Sequence, residues 1–329
     1  MQLRAIIAVI FAGSLTMTHP VLAEDKPVTE QVVDTLTTLS GGPHAGYRAN
    51  HAKGIMVEGS FTPSAQAASI SQAVHFQKPT PVLVRFSDAT GVPNIPDANG
   101  NAFPKGIAIR FQLPDGTATD IVSISVNGFP AATPEDFLGL LNAVRDSQAS
   151  TAKPSPVEQF LGTHPAALKF VSTPKPAPES FATQPFFGVN AFQFSNAGGK
   201  KVYGRYQIVP VSGARYLTQQ AADKAAPDYL MKEIVERVQT KGVQYKLLLQ
   251  LAEQGDDVNN ATVVWPDSRQ LVELGTLTLN KAVADSQTAE KPIMFNPLQL
   301  TEGIAPSQDP ILLARPAAYA VSFGRRLAK

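Results

Sequence analysis

The sequence predicts an α+β chain built on an antiparallel sheet curled into a barrel. Short β-type runs punctuated by Gly, Pro, Asn and Asp fill the stretch from His51 to Val126, and more such runs follow Gly188. Helical patterns gather in blocks between them instead of alternating strand by strand, which argues against βαβ units. No internal repeat, G-x-G-x-x-G, P-loop or zincin pattern occurs.

The elements follow in order. Val28 to Leu39 has helical spacing and is stopped by Gly41-Gly42-Pro43. Strands are expected at 54–61, 81–87, 106–111 and 119–123. Thr133-Pro134-Glu135-Asp136 then opens a helix, with Thr as N-cap, Pro in the first helical position and acids in the first turn. The Pro-rich stretch 153–185 predicts short helical pieces. Strands are expected again at 188–194, 202–209, 261–265 and 272–279, with one long amphipathic helix over 227–254 and a last helix over 309–326.

Composition narrows the function. Apolar residues make up 43% of 329, enough for a real core. Lys plus Arg number 28 against 27 acids, so no strong field exists to attract nucleic acid or anionic lipid. Cys is absent, which excludes disulfides, thiolate metal sites, iron–sulfur clusters and a cysteine nucleophile.

The first residues read as a secretory signal. Met1 to Arg4 is a short basic start, and Ala5 to Leu15 is an apolar run shorter than the ~20 residues a membrane span needs. Val21-Leu22-Ala23 forms a cleavage site. Residues 1–23 are therefore expected to be removed. Residues 24–329 would then form one soluble domain, periplasmic or secreted, with no membrane insertion.

Three constellations carry chemistry. In Arg48-Ala49-Asn50-His51-Ala52-Lys53-Gly54, an imidazole stands beside basic residues at the start of a strand, although a solvated His there is equally compatible with the pattern. In Val84-Arg85-Phe86-Ser87, an Arg inside a β-run is an edge residue, a paired interior charge or an anion contact. Ser87 shares its face. In Arg315-Pro316-Ala317-Ala318-Tyr319, i and i+4 share a helix face. A guanidinium there would favour a phenolate, a hard anionic ligand for ferric iron. A plain surface pair has the same spacing.

Taken in order, H-A-K-G, V-R-F-S and R-x-x-x-Y resemble the haem catalases, and the likeness runs collinearly from about residue 45 to the end. Phe103-Pro104-Lys105-Gly106-Ile107-Ala108-Ile109-Arg110-Phe111, Val264-Trp265-Pro266, Leu277 to Asn280 and Phe295-Asn296-Pro297 continue it. The shorter length resembles the catalase-related peroxidases, a minimal catalase core. The resemblance implies an about eight-stranded antiparallel barrel with flanking helices around a buried haem b. Tyr319 would be the proximal iron ligand and Arg315 its ioniser, with His51 the distal acid–base and Ser87 its orienting partner. Arg48, Arg85 and Arg326 would meet the haem propionates, and Phe137 would stack on the macrocycle.

The departures are informative. The family's D-L-V-G-N-N-T-P is here Asp120-Ile121-Val122-Ser123-Ile124-Ser125-Val126-Asn127. Ungapped, the distal Asn falls on Ile124, and Asn127, three residues later, is carried over as its candidate. After Tyr319 the family's His-Arg-His run is replaced by Phe323-Gly324-Arg325-Arg326.

The expected activity is a peroxidase reducing hydrogen peroxide or organic peroxides (EC 1.11.1 class) with an unknown reductant, weak catalase activity, and a monomeric or homodimeric state. Two alternatives are a hydroperoxide isomerase of the allene oxide synthase type and a non-enzymatic haem-binding protein.

Overall fold

The computed structural model describes residues 26–328. The proposed signal segment lies outside them.

The chain opens with α1 (Val28–Leu39) and enters β1 (Gly54–Pro63). A short α2 (Ala67–Ile70) leads to β2 (Thr80–Asp88), β3 (Lys105–Gln112) and β4 (Ala118–Ile124). Three helices follow: α3 (Pro134–Ala149), α4 (Pro156–Thr163) and α5 (Pro165–Ser172). The Thr133 hydroxyl caps α3 by accepting from Asp136 N at 3.1 Å, as its sequence predicts. Next come β5 (Phe186–Phe187), β6 (Phe192–Ser195), β7 (Lys201–Pro210), α6 (Gln219–Asp223), α7 (Tyr229–Thr240) and β8 (Val243–Leu251). The chain closes with β9 (Leu271–Ala282), α8 (Ser286–Glu290), β10 (Ile304–Pro306) and α9 (Pro310–Leu327).

All strand pairs are antiparallel, and the sheet closes on itself where β7 meets β8. The ring is eight-stranded, because β5 and β6 pair with successive stretches of β7 as one broken strand. Closure removes the unpaired edges that an open sheet would expose.

Alternation sorts the side chains. Val82, Val84 and Phe86 of β2 and Ile107, Ile109 and Phe111 of β3 point into the barrel, where Phe86 stacks on Phe181 with centroids 4.9 Å apart. Arg85 and Ser87, one residue out of phase, point outward. The helices α1, α3 and α9 pack on one another and face the outward residues of β2, β3 and β4 across a cavity, and β2 is buried from Val82 to Asp88. The cavity that matters lies there, outside the barrel.

Three expectations are corrected. The helix over 227–254 ends at Thr240, since Gly242 turns the chain at φ +69° and Val243, Tyr245, Leu247 and Leu249 alternate into the barrel as β8. The strand at 261–265 is a loop: the Arg205 guanidinium takes the Val263 carbonyl and, just before the stretch, that of Asn260 (2.9 Å), and it sits 4.3 Å from the Trp265 ring centre. The strand over 188–194 is interrupted at 188–191, where Asn190 reaches α9 instead of the sheet.

Candidate active site

The cavity's barrel wall is built by the segment before β1 and by the outward residues of β2, β3 and β4. His51 is the only non-glycine residue with positive φ among those described, at 56°. A left-handed conformation costs a side-chain-bearing residue about 1–2 kcal/mol, so this geometry is imposed by what surrounds it. Its N–H donates to Asn50 Oδ1 at 3.0 Å, and the next residue, Ala52, is pinned by donating to Thr90 O at 2.8 Å. The imidazole Nδ1 lies 3.0 Å from Ser87 Oγ, which leaves Nε2 for a bound molecule.

Glycines make this pairing possible. In register, Ser87 stands between Gly54 of β1 and Gly106 of β3. A Cβ on Gly54 would overlap the Arg85 guanidinium. Burial, and then the fields of Arg85, Arg48 and Arg315, press the His51 imidazole down to about 3, so it is neutral at any ordinary pH.

The opposing wall is one face of α9. Ile311, Arg315, Tyr319, Ser322, Phe323 and Arg326 fall on it at helical spacing. Arg315 donates to Tyr319 Oη from both Nε (3.1 Å) and Nη2 (2.9 Å). Its third nitrogen, Nη1, donates to Asn190 Oδ1 at 2.7 Å, and Asn190 Nδ2 donates to Asp309 Oδ2 at 2.8 Å. The phenol is thus held by a guanidinium that is itself held.

At one end Arg48, Arg85 and Arg326 all reach the cavity. Glu290 pairs with Arg48 Nη1 at 2.8 Å and with Arg85 Nε. Arg326 Nε and Nη1 are buried without a partner. Phe137 of α3 lines the cavity as expected, its ring 5.1 Å from that of Phe129.

The structure brings together eight of the nine residues singled out in the sequence. Asn127 is the exception and is corrected: β4 ends at Ile124, and Asn127 falls in the turn beyond it and does not line the cavity. Ile124, opposite Gly106 in register, occupies the wall. Sequence reasoning missed Asn190 and Glu290, which carry no spacing signal, and the part played by Asp309, visible only as an N-cap.

The site is thus an imidazole on the outer wall of an eight-stranded barrel facing an arginine-bound phenol on the C-terminal helix across one cavity. The catalase family profile matches residues 40–329, and the chain belongs to that family. It is 34% identical to a catalase-related peroxidase of Synechococcus elongatus, over 88% of this chain and 87% of that one. It is 33% identical to another of Mycolicibacterium paratuberculosis, over 90% and 94%. Against catalase-2 of Bacillus subtilis the identity is 28%, and the match spans 42% of that longer protein. A fungal catalase structure superposes with a TM-score of 0.76 over 98% of this chain and 67% of its own, at 23% identity, which speaks for the fold.

The family consists of oxidoreductases acting on peroxide and implies a haem cofactor. The residues fit that group. A flat apolar ring with two carboxylates needs apolar walls, cations at one end and a single hard ligand. Ala108, Val122 and Phe129, the unpartnered Arg326 nitrogens and Tyr319 meet those needs.

Proposed function

We propose that this chain is a haem b-dependent peroxidase that reduces hydrogen peroxide and organic hydroperoxides at the expense of a separate electron donor. The observation that carries it is the His51–Ser87 pair facing the same cavity as Arg315–Tyr319. Haem, when bound, supplies the redox-active iron at which the peroxide O–O bond is cleaved. Tyr319 would hold that iron, and Arg315 would stabilise the negative charge on the phenolic oxygen. Arg48, Arg85 and Arg326 would bind the two carboxylates.

His51 performs the proton work. Its neutral Nε2 takes the proton from an incoming hydroperoxide and returns it to the departing oxygen, so that water or an alcohol leaves. Ser87 Oγ fixes the ring plane while this happens. Ile124, Val122 and Phe129 make the neighbouring wall apolar, which suits an alkyl hydroperoxide and gives a second hydrogen peroxide few groups to bind. Dismutation is therefore the weaker activity.

Turnover of hydrogen peroxide and cumene hydroperoxide with a chromogenic donor, alongside oxygen release, tests this reading. Donor oxidation should exceed oxygen release and should collapse in His51→Ala. Consumption of a fatty-acid hydroperoxide with no donor would instead identify an isomerase. Haem binding with no His51-dependent turnover would identify a carrier. The reading includes export after cleavage at Ala23 and a domain spanning 24–329. The mass of the protein recovered from the periplasm or medium tests that part, and sedimentation distinguishes monomer from homodimer.

A further inference from the structure

Three guanidinia meet at one end of the cavity, and a single carboxylate stands among them. Glu290 closes α8 and is 5% exposed. Its Oε1 lies 2.8 Å from Arg48 Nη1, and its Oε2 pairs with Arg85 Nε. The residues after it collect the rest: Arg326 Nη2 donates to the Lys291 and Ile293 carbonyls at 3.0 Å each, and Arg48 Nη2 donates to Ile293 O at 3.2 Å. Among the described residues no other acidic side chain pairs with any of the three arginines. The cluster is therefore left with two uncompensated positive charges.

Buried guanidinia without an anion would oppose folding strongly, by desolvation and by mutual repulsion. One carboxylate lowers that cost without cancelling the cluster's attraction for a dianion. We propose that Glu290 is the internal anion that lets the arginine cluster fold before the cofactor arrives, and that the cofactor's two carboxylates then share the guanidinia with it. This rests on the haem reading above. Glu290 is a positioning residue and touches no reacting atom.

The sharing has a signature that a merely structural residue lacks. Glu290→Gln should lower the thermal midpoint of the cofactor-free protein much more than that of the haem-loaded protein, because only the loaded form has another anion in place. The same linkage requires the variant to hold haem more tightly. Transfer of haem from loaded protein to an apoglobin acceptor should slow by at least about fivefold, the low end of ordinary coupling between sites. Transfer of haem dimethyl ester, which lacks the charges, should be unchanged. Glu290→Asp, which keeps the charge, should stay near wild type.

The transfer measurement uses loaded protein and so survives a variant that does not fold alone. Equal loss of stability in both forms, faster haem loss, or slowing shared by the diester would overturn the proposal. A wild-type protein that takes up no haem would overturn the functional reading and this inference together.

Discussion

Gly106 approaches His51 so closely that a Cβ there would lie 2.8 Å from the imidazole Nδ1 and equally close to Ser87 Oγ. Gly106→Ala must therefore push the ring off its hydroxyl partner. The variant should keep its haem, and turnover should fall toward that of His51→Ala, which loses about 10²–10⁴-fold with its acid–base group. Steady-state peroxidase assays beside the absorption spectrum check both halves. An alanine variant with full activity would place proton transfer elsewhere.

Tyr319→Phe removes the phenolic oxygen and should abolish stable haem binding. The measurement is the haem-to-protein ratio and the Soret band after purification, with an unchanged band excluding Tyr319 as the ligand.

Arg315→Leu strips Tyr319 Oη of two donors, at 3.1 and 2.9 Å, and leaves Asn190 Oδ1 without its partner. The phenolic oxygen then lacks the two donors that aim it and hold it in place. Haem should be lost at a higher pH than from wild type, and peroxide turnover should slow. Arg315→Lys should fall between, restoring charge without the planar fork. Haem retention across acid to neutral pH separates these outcomes.

His75 predicts a pH effect on stability. It is fully buried in the barrel against Phe76 and Phe111, 4.1 and 4.6 Å between ring centres, and its Nδ1 has no partner. Burial lowers it to about 3 from an ordinary 6.5. The unfolded chain therefore binds a proton first, and stability is lost as pH falls below 6.5 towards 3. At pH 5 the loss is about 2 kcal/mol. His75→Leu should flatten the acid limb of a denaturant-unfolding series by that amount and change neutral stability far less.

Asp88 and Lys105, both fully buried, form an ion pair at 2.6 Å directly behind the site, next in sequence to Ser87 and Gly106. Burial pushes the Asp88 carboxyl up, and Lys105 opposes that shift. Either Asp88→Leu or Lys105→Met alone should cost about 3–5 kcal/mol by stranding its partner. The double variant should recover most of it. Chemical denaturation in a double-mutant cycle measures the coupling.

What could be read from the sequence was whatever a period or a spacing encodes. The N-cap at Thr133 and the face shared by Arg315 and Tyr319 are local patterns, and they fold as read. Val243 to Leu251 went astray because Leu247-Leu248-Leu249 continues a helical apolar count. The Val-x-Tyr-x-Leu-x-Leu alternation after Gly242 was the better signal. Asn127 failed for a different reason: whether a residue faces a cavity depends on where its strand ends, and β4 stops at Ile124. Glu290 and Asn190 lie far along the chain from the arginines they hold, and only the closed barrel brings them there.

Asp309 does two things with one carboxylate. Oδ1 accepts from the Ile311 N–H at 2.9 Å at the start of α9, and Oδ2 accepts from Asn190 at 2.8 Å. A helix begun one residue late would rotate every later side chain by about 100°. Tyr319 would then sweep off the cavity with its chemistry intact and its aim lost. The rotational phase of α9 is thus locked to the same group that steadies Arg315, and the direction of the Tyr319 hydroxyl is decided ten residues before Tyr319 itself.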